Sequence, residues 1–155
     1  MSAPKKTSTF KLLMTGSERG GKTSLGQRMA SDMFQSDYAK TIGADFFVKS
    51  VFVDGRGVKF ELWDTAGNER DMEIQYTYYR GVGVSMIVYD ISDRGSFEEL
   101  EIWRQKADQC LRQEVLRIVV GAKNDVGNRA VTREEAERYA RSHGMMYIET
   151  SAKNG

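Results

Sequence analysis

The sequence predicts an α/β protein with a mostly parallel six-stranded sheet, one antiparallel hairpin and helices on both faces. Short apolar runs alternate along the chain with segments of helical periodicity, a pattern typical of parallel βαβ units. Two of the runs flank Asp54-Gly55, a strong signal for a hairpin turn. We therefore expect a doubly wound sheet whose ligands bind at the carboxyl ends of its strands.

Six apolar runs are predicted to be the strands: 10–15, 46–53, 58–63, 84–89, 116–120 and 145–148. The helices are indicated by apolar residues spaced three or four apart. One helix follows Lys22 and carries Leu25, Met29 and Met33 on one face; another carries Phe97, Leu100, Trp103, Ala107 and Leu111. Thr132 with Glu135 forms a capping box for a last helix, which Gly144 can end.

Composition limits the class of protein. The 155 residues suit one domain, and the net charge of +1 leaves no broad basic surface for nucleic acid. Cys110 is the single cysteine, so no internal disulfide can form, and we expect a cytoplasmic protein in which this thiol is packed and inert. Residues 1–9 are small, polar and basic, which predicts a flexible arm before a domain of residues 10–155.

A phosphate-binding loop is predicted at residues 16–23, Gly-Ser-Glu-Arg-Gly-Gly-Lys-Thr, which fit the pattern G-x-x-x-x-G-K-[ST] between a strand and a helix. Glycines let backbone N–H groups surround a phosphate, and the helix N-terminus adds partial positive charge. Lys22 can reach the terminal phosphates, and the Thr23 hydroxyl can bind Mg²⁺. A plain glycine-rich turn is the structural alternative, and the motif alone does not choose between adenine and guanine.

Three short segments at later strand ends extend this site. Asp64 could hold Mg²⁺ through water, and Gly67 could turn its amide toward a terminal phosphate, although Asp64-Thr65-Ala66-Gly67 could equally cap a helix. After the fifth strand, the carboxylate of Asp125 can accept two N–H bonds from guanine, whereas adenine would leave it unpaired. Ser151-Ala152-Lys153 can offer a backbone amide to the guanine carbonyl.

With these segments in this order, the chain resembles a small GTPase of the Ras superfamily, and most of all its Rab branch. The similarity runs from about residue 10 to residue 155. The Rab-like segments are Thr41-Ile42-Gly43-Ala44-Asp45-Phe46, Trp63-Asp64-Thr65-Ala66-Gly67, Tyr78-Tyr79-Arg80-Gly81 and Val88-Tyr89-Asp90-Ile91. The resemblance implies a P-loop NTPase G domain that hydrolyses GTP to GDP with Mg²⁺ and regulates vesicle trafficking.

The resemblance also assigns residues and partners. It implies that Thr41 closes on Mg²⁺ and the γ-phosphate, that Phe34 stacks on the base, and that Tyr38 covers the phosphates. Effectors, an exchange factor and a GTPase-activating protein are the implied partners. An exposed aromatic patch of Phe46, Trp63 and Tyr78 would be read by effectors, unless these are ordinary half-buried aromatics. The full set of predicted nucleotide-binding residues is Gly16, Glu18, Arg19, Gly20, Gly21, Lys22, Thr23, Ser24, Phe34, Tyr38, Thr41, Gly67, Ala122, Lys123, Asp125, Ser151, Ala152 and Lys153. The predicted catalytic residues are Lys22, Thr41, Gly67 and Asn68, and the predicted metal ligands are Thr23, Thr41 and Asp64.

Four positions depart from the family pattern. Asn68 stands in place of the glutamine that orients the attacking water, and a side chain about 1 Å shorter can cost on the order of a hundredfold in rate. Glu18 and Arg19 replace small residues in the phosphate loop; either they disturb the phosphates or they point to solvent. Ala122 replaces an asparagine that ties the base to the phosphate loop, which predicts fast nucleotide exchange. Asp71 replaces a usual aromatic in the second switch.

The chain also stops before the family's last helix and prenylated tail, which suggests either a truncated protein or a sheet with one open face. Membrane attachment would then need a tail that is not present here, with peripheral association expected only of a full-length form. The sequence thus favours a GTP-binding switch with slow hydrolysis. The alternative is a GTP-locked or nucleotide-free pseudo-GTPase that serves as an interaction module. A P-loop ATPase or kinase is a third, weaker reading, since Asp125 should exclude adenine.

Overall fold

The computed structural model describes residues 7–17, 20–31, 44–65 and 78–154, with only the backbone described for residues 30–31 and 44–46. Six strands form one sheet, as predicted: β1 Ser8–Gly16, β2 Ala44–Val53, β3 Arg56–Thr65, β4 Val82–Asp90, β5 Leu116–Ala122 and β6 Met146–Glu149. Strand β1 begins two residues before its predicted start and takes in Ser8 and Thr9, which had been assigned to the N-terminal arm.

The sheet order is β2-β3-β1-β4-β5-β6, and β2 with β3 is its one antiparallel pair among these strands. The β2–β3 turn is Asp54-Gly55, with φ of 50° and 74°, the doubly positive backbone that a two-residue hairpin requires. All other pairs are parallel, so five strands, β1, β3, β4, β5 and β6, have their carboxyl ends at the same edge of the sheet. From β1 the chain continues to β2 and β3, which lie on one side of β1, whereas from β4 it continues to β5 and β6 on the other side. This reversal of direction places a ligand crevice near the carboxyl ends of β1 and β4.

Four helices occur in the described ranges: α1 Lys22–Ser31, α2 Arg94–Glu98, α3 Leu100–Cys110 and α4 Arg133–Ser142. The periodicity from Phe97 to Leu111 predicts a single helix, but the structure breaks it at Glu99, which caps α2 and starts α3. At α4, the Thr132 hydroxyl accepts a bond from the Glu135 N–H, as a capping residue should. The Glu135 side chain instead pairs with Arg94 on α2. None of these described helices is long and apolar enough to cross a bilayer.

Side chains from alternate strand positions fill two layers, one on each face of the sheet. On one face, Tyr89, Leu100, Trp103 and Val119 form a core with α3 and α4. On the other face, α1 lays Leu25 and Met29 over Met14, Leu62 and Val120. Farther from α1 on that second face, a set of strand side chains stays exposed: Phe10, Leu116, Met146 and Ile148. The fold thus packs α1 directly behind the carboxyl end of β1, where the crevice opens.

Candidate nucleotide-binding site

The phosphate loop, residues 16–23, leaves β1 at a glycine that no other residue could replace. Gly16 has φ of 133°, and a Cβ placed on it would lie 2.2 Å from the carbonyl oxygen of Val88 in β4. A side chain there would force the two parallel strands apart. Gly20 approaches the same carbonyl, at 3.1 Å from its notional Cβ, and its N–H donates to the Ser17 carbonyl. Gly16 and Gly20 therefore both lie tightly against the end of β4.

Lys22 is the first residue of α1 and is buried, with 3% of its surface exposed. Its ammonium donates to the carbonyl oxygens of Gly16, at 2.9 Å, and Ser17, at 2.7 Å. An ammonium has three donors, so these two bonds fix its position within the loop. The result is a positive charge held at the N-terminus of a helix, where the backbone dipole also favours an anion.

The donor set for Mg²⁺ is formed by Thr23 and Asp64. The Thr23 hydroxyl, in the first turn of α1, donates to Asp64 Oδ2 at the end of β3 over 2.6 Å. Asp64 is 2% exposed, so its carboxylate is enclosed beside the phosphate loop. A hydroxyl and a carboxylate are oxygen ligands of the kind that Mg²⁺ prefers, usually together with phosphate oxygens and water. The residues present therefore fit a magnesium site.

A cavity of about 160 Å³ opens beside the phosphate loop, between the loops that follow β5 and β6. We call residues 123–131 the β5 loop and residues 150–154 the β6 loop. The cavity is lined by Gly21, Ser24, Leu25, Ala122, Lys123, Asp125, Val126, Ala152 and Lys153. It therefore joins the phosphate loop to the predicted base-recognition residues in one continuous space.

Asp125 lies at the exposed rim of this cavity and accepts a hydrogen bond from the Ser151 hydroxyl over 2.6 Å. This bond lowers the pKa of the Asp125 carboxyl below its usual value, so the group is a carboxylate at neutral pH. Backbone bonds link the same loops, from the Asn124 N–H to the Thr150 carbonyl and from the Thr150 N–H to the Gly121 carbonyl. The carboxylate is thus held by two loops at once.

Lys123 crosses from the β5 loop to the phosphate loop. Its backbone is left-handed, with φ of 63°, and its Cε lies 3.4 Å from a Cβ placed on Gly21. Its ammonium pairs with Asp90 at the end of β4 over 2.9 Å. Burial opposes ionisation of Asp90, but hydrogen bonds from Ser92 and Lys123 outweigh it and lower its pKa. Lys123 therefore connects the two sides of the cavity.

Some residues at the site carried no sequence signal. Arg28 of α1 donates to the carbonyls of Ala152, at 2.7 Å, and Lys153, at 3.0 Å, and so anchors the β6 loop from 124 residues away. Leu25 and Val126 form the apolar walls of the cavity. Val126 directly follows Asp125, and that adjacency could have indicated its place at the site. The role of Arg28 could not be predicted, because its partners lie far away in the sequence.

Several predicted site residues lie outside the described ranges: Glu18, Arg19, Phe34, Tyr38, Thr41, Gly67, Asn68 and Asp71. Their roles remain predictions. The structure brings together the predicted residues that it describes, with the loop glycines, Lys22, Thr23 and Asp64 on one side and Ala122, Lys123, Asp125 and residues 151–153 on the other.

The predicted aromatic patch is wrong for Tyr78. Its side chain is 5% exposed and packs in a core with Leu13, Tyr79, Val82 and Ala107. Trp63 is half-buried against the same core, and the Phe46 side chain is not described. Tyr78 is buried because its ring packs against side chains of β1, β4 and α3, where an aromatic ring gains more from packing than from contact with water. Of the three aromatics, only Trp63 is seen to present part of its surface.

These features define a P-loop nucleotide-binding domain, in which a glycine-rich loop and its lysine meet a base cavity at the switch point of the sheet. Comparison with known proteins then gives the family. The Ras family model matches residues 11–155. The chain is 43% identical to Ras-related protein Rab-18 of Caenorhabditis elegans over 146 residues, which cover 94% of this chain and 72% of that protein.

Two further relatives agree. Ras-related protein Rab-13 of Rattus norvegicus is 44% identical, with the same 94% and 72% covered. Ras-related protein Rab-18-B of Danio rerio is 42% identical, with 94% and 71% covered. The chain belongs to the Ras family and is a Rab-like small GTPase. Members of this class are GTP-binding hydrolases of vesicle trafficking, typically with Mg²⁺, which agrees with the phosphate loop and the Thr23–Asp64 donor pair.

Proposed function

We propose that this chain is a GTP-binding switch that regulates vesicle trafficking and returns slowly from its GTP state to its GDP state. The observation that carries the proposal is the continuous cavity between Gly21 of the phosphate loop and Asp125 of the β5 loop. One guanine nucleotide can reach both the ammonium of Lys22 and the carboxylate of Asp125. An adenine would meet that carboxylate with no matching pair of N–H donors, which favours guanine.

Hydrolysis would transfer the γ-phosphoryl group to water, with positioning and electrostatics supplying the catalysis. The loop amides and Lys22 would stabilise charge developing on the phosphate oxygens. When bound at Thr23 and Asp64, with Thr41 as a further ligand, Mg²⁺ supplies neutralising charge to the phosphates. The Gly67 amide would face the γ-phosphate, and Asn68 would orient the water. Phe34 and Tyr38 would cover the base and the phosphates.

Slow turnover is proposed from Asn68. Asparagine is one methylene shorter than glutamine, so its amide reaches about 1 Å less far toward the water. A GTPase-activating protein would then have to supply the missing stabilisation, for example with an arginine. Effectors would bind the long-lived GTP state. Among the described residues of the predicted effector surface, Trp63 is the one whose side chain is partly exposed to solvent.

Two measurements test the proposal. Denaturing the purified protein and identifying the released nucleotide by chromatography should give GTP or GDP, with GTP indicating the slow switch.

The rate of single-turnover hydrolysis should rise by roughly ten- to a hundredfold in Asn68→Gln, because the longer amide reaches the water. Asn154→Gln, which adds the same methylene in the β6 loop, is the matched control and should leave the rate unchanged. An Asn68→Gln rate equal to the parent's would refute the slow-turnover part.

The alternative is a GTP-locked or nucleotide-free pseudo-GTPase that acts as an interaction module. Ala122 favours it, because this buried methyl group lines the cavity where the family has an amide. Weak binding and fast exchange would follow from that loss. Release of no nucleotide, together with no binding of added GTP or GDP, would select this alternative over the switch. GTP that binds but does not turn over, even with an activating protein, would select its GTP-locked form.

A further inference from the structure

A chain of four polar side chains runs behind the base cavity. Tyr89 of β4 and Tyr147 of β6 place their hydroxyl oxygens 2.7 Å apart. The Tyr147 hydroxyl donates to Glu149 Oε2 over 2.6 Å. Arg129 of the β5 loop donates to both oxygens of Glu149, at 2.9 and 2.6 Å. We call these residues the tyrosine–glutamate relay.

The direction of the relay is fixed. A tyrosine hydroxyl has one proton, and Tyr147 gives it to Glu149, so Tyr89 must be the donor to Tyr147. Burial raises the pKa of Tyr89 to about 12, and burial together with the bond to Glu149 raises the pKa of Tyr147 further. The Arg129 guanidinium lowers the pKa of Glu149. At neutral pH, then, both hydroxyls keep their protons and the acid is a carboxylate.

The relay includes a residue of the β5 loop and the residue of β6 from which the β6 loop departs. Glu149 is the last residue of β6 and lies two residues before Ser151, and its side chain is 5% exposed. Arg129 lies four residues after Asp125 and also donates to the Val131 carbonyl over 3.1 Å. The Arg129–Glu149 pair therefore joins the later part of the β5 loop to the end of β6, whereas the Ser151–Asp125 bond joins the start of the β5 loop to the β6 loop.

The hydroxyl pair also lies against the strand that carries the base motif. A Cβ placed on Gly121 would lie 2.7 Å from the Tyr147 hydroxyl oxygen and 3.1 Å from that of Tyr89. Gly121 immediately precedes Ala122, whose methyl group provides no hydrogen bond of its own. The relay thus contacts the end of β5 at the point from which the β5 loop departs.

We infer that Tyr147 and Tyr89 are positioning residues for guanine recognition, because the tyrosine–glutamate relay holds the β5 loop, and with it Asp125, against the end of β6. This inference rests on the proposed function, since it names what sets the affinity and base selectivity of that same site. The relay acts from behind the cavity and touches no nucleotide. Its loss should let Asp125 move away from the base while the phosphate loop is unaffected.

The test is the dissociation rate of GDP and of IDP from Tyr147→Phe and Tyr89→Phe, each of which removes one hydroxyl oxygen and keeps the ring. IDP lacks the exocyclic amine of guanine, so the ratio of IDP to GDP dissociation rates reports how well Asp125 is placed. We expect GDP dissociation to rise roughly two- to tenfold in Tyr147→Phe, and less in Tyr89→Phe. The IDP-to-GDP ratio should fall toward one in both variants.

Tyr139→Phe is the matched control. Tyr139 of α4 also donates to a glutamate that pairs with an arginine, Glu101 with Arg104, but these two lie on α3 and none of the three residues lines the cavity. It should lose a similar hydrogen bond and leave both dissociation rates unchanged. Thermal unfolding of all three variants separates lost stability from lost positioning. If Tyr147→Phe does not fold, Tyr89→Phe carries the test, because it removes only the hydroxyl farther from Glu149.

The inference is overturned if Tyr147→Phe and Tyr89→Phe release GDP like the parent, or if GDP and IDP are accelerated equally, since the relay would then be only structural. A parent protein that binds neither GDP nor GTP would overturn the proposed function, and the inference with it. A parent that binds GDP normally, with unchanged variants, would overturn the inference alone.

Discussion

The phosphate side and the base side of the site are built in different ways. The phosphate side comes from eight consecutive residues, and its groups are largely backbone amides and a lysine that bonds to carbonyls of its own loop. The base side comes from two loops, and its contact between Asp125 and Ser151 spans 26 residues of sequence. A local motif is therefore enough to form a phosphate loop, whereas the place of Asp125 depends on how the loops after β5 and β6 are held together.

The largest expected effect is on the phosphate side. Lys22→Met keeps the length of the stem but removes the buried ammonium, so the loop loses its charge and the bonds to Gly16 and Ser17. Affinity for GDP and GTP should fall by roughly a hundredfold or more, because a charge facing phosphate is lost in a site shielded from water. Titration with a fluorescent GDP analogue measures this. Lys59→Met, in β3 with a side chain that is 40% exposed, should bind like the parent.

A smaller effect is expected on the base side. Asp125→Asn replaces an acceptor with a group that presents N–H donors toward the N–H donors of guanine. GDP affinity should fall by about ten- to a hundredfold. The affinity for xanthosine diphosphate should rise, because its base carries a carbonyl where guanine has the amine. Competition between the two nucleotides measures the exchange of preference. Equal weakening of both would mean that Asp125 does not select the base. Asp108→Asn, on the surface of α3, is the control.

Slower GDP dissociation is expected when an amide again links the phosphate loop to the base side of the site. Ala122→Asn adds an amide at a buried position whose Cβ lies 3.8 Å from a Cβ placed on Gly21. GDP dissociation should slow by about tenfold, because the amide can bond to the phosphate loop across that short gap. Stopped-flow exchange of a fluorescent GDP measures the rate. Ala130→Asn, exposed in the β5 loop, should not change it. A parent rate already as slow as that of typical Rab proteins would contradict the reasoning.

The smallest effect is the pH dependence of stability on the base side. The pKa of Glu149 is lowered in the folded state, chiefly by Arg129, so its carboxylate stabilises the fold above the usual carboxyl pKa. That contribution is lost as the pH falls through the lowered folded-state pKa. The Tm of Glu149→Gln should therefore be below that of the parent near pH 7, with the gap closing below about pH 4. Glu137→Gln, in an exposed pair with Arg133, should show little gap at either pH.

Much of the fold could be predicted because its signals are local. All six strands and the hairpin turn follow from apolar runs and from Asp54-Gly55, and the structure confirms them within a few residues. The break at Glu99 was missed because Phe97, Leu100 and Trp103 keep one helical period across it. Periodicity reports which residues face the core and does not report where one helix ends and the next begins.

The same distinction holds for the site, where residues with a local sequence signal could be predicted and residues placed by the fold could not. Gly16, Lys22, Thr23 and Asp125 were identified in advance, because their chemistry and spacing together point to a nucleotide. Asp90 was named only as part of a family-like segment, and its pairing with Lys123 depends on β4 and β5 being neighbours. Burial of Tyr78 could not be foreseen either, since an isolated aromatic fits an exposed patch or a core equally well.

By itself, the sequence determined the strand pattern and the phosphate loop and predicted a preference for guanine, because each depends on residue types within a few positions of one another. Only the tertiary structure decided which distant groups support them: Arg28 on the β6 loop, Lys123 across Gly21, and the hydroxyls of Tyr89 and Tyr147 behind Gly121. These contacts join strands and loops that are remote along the chain, and their distances depend on sheet order and packing, which no local pattern encodes.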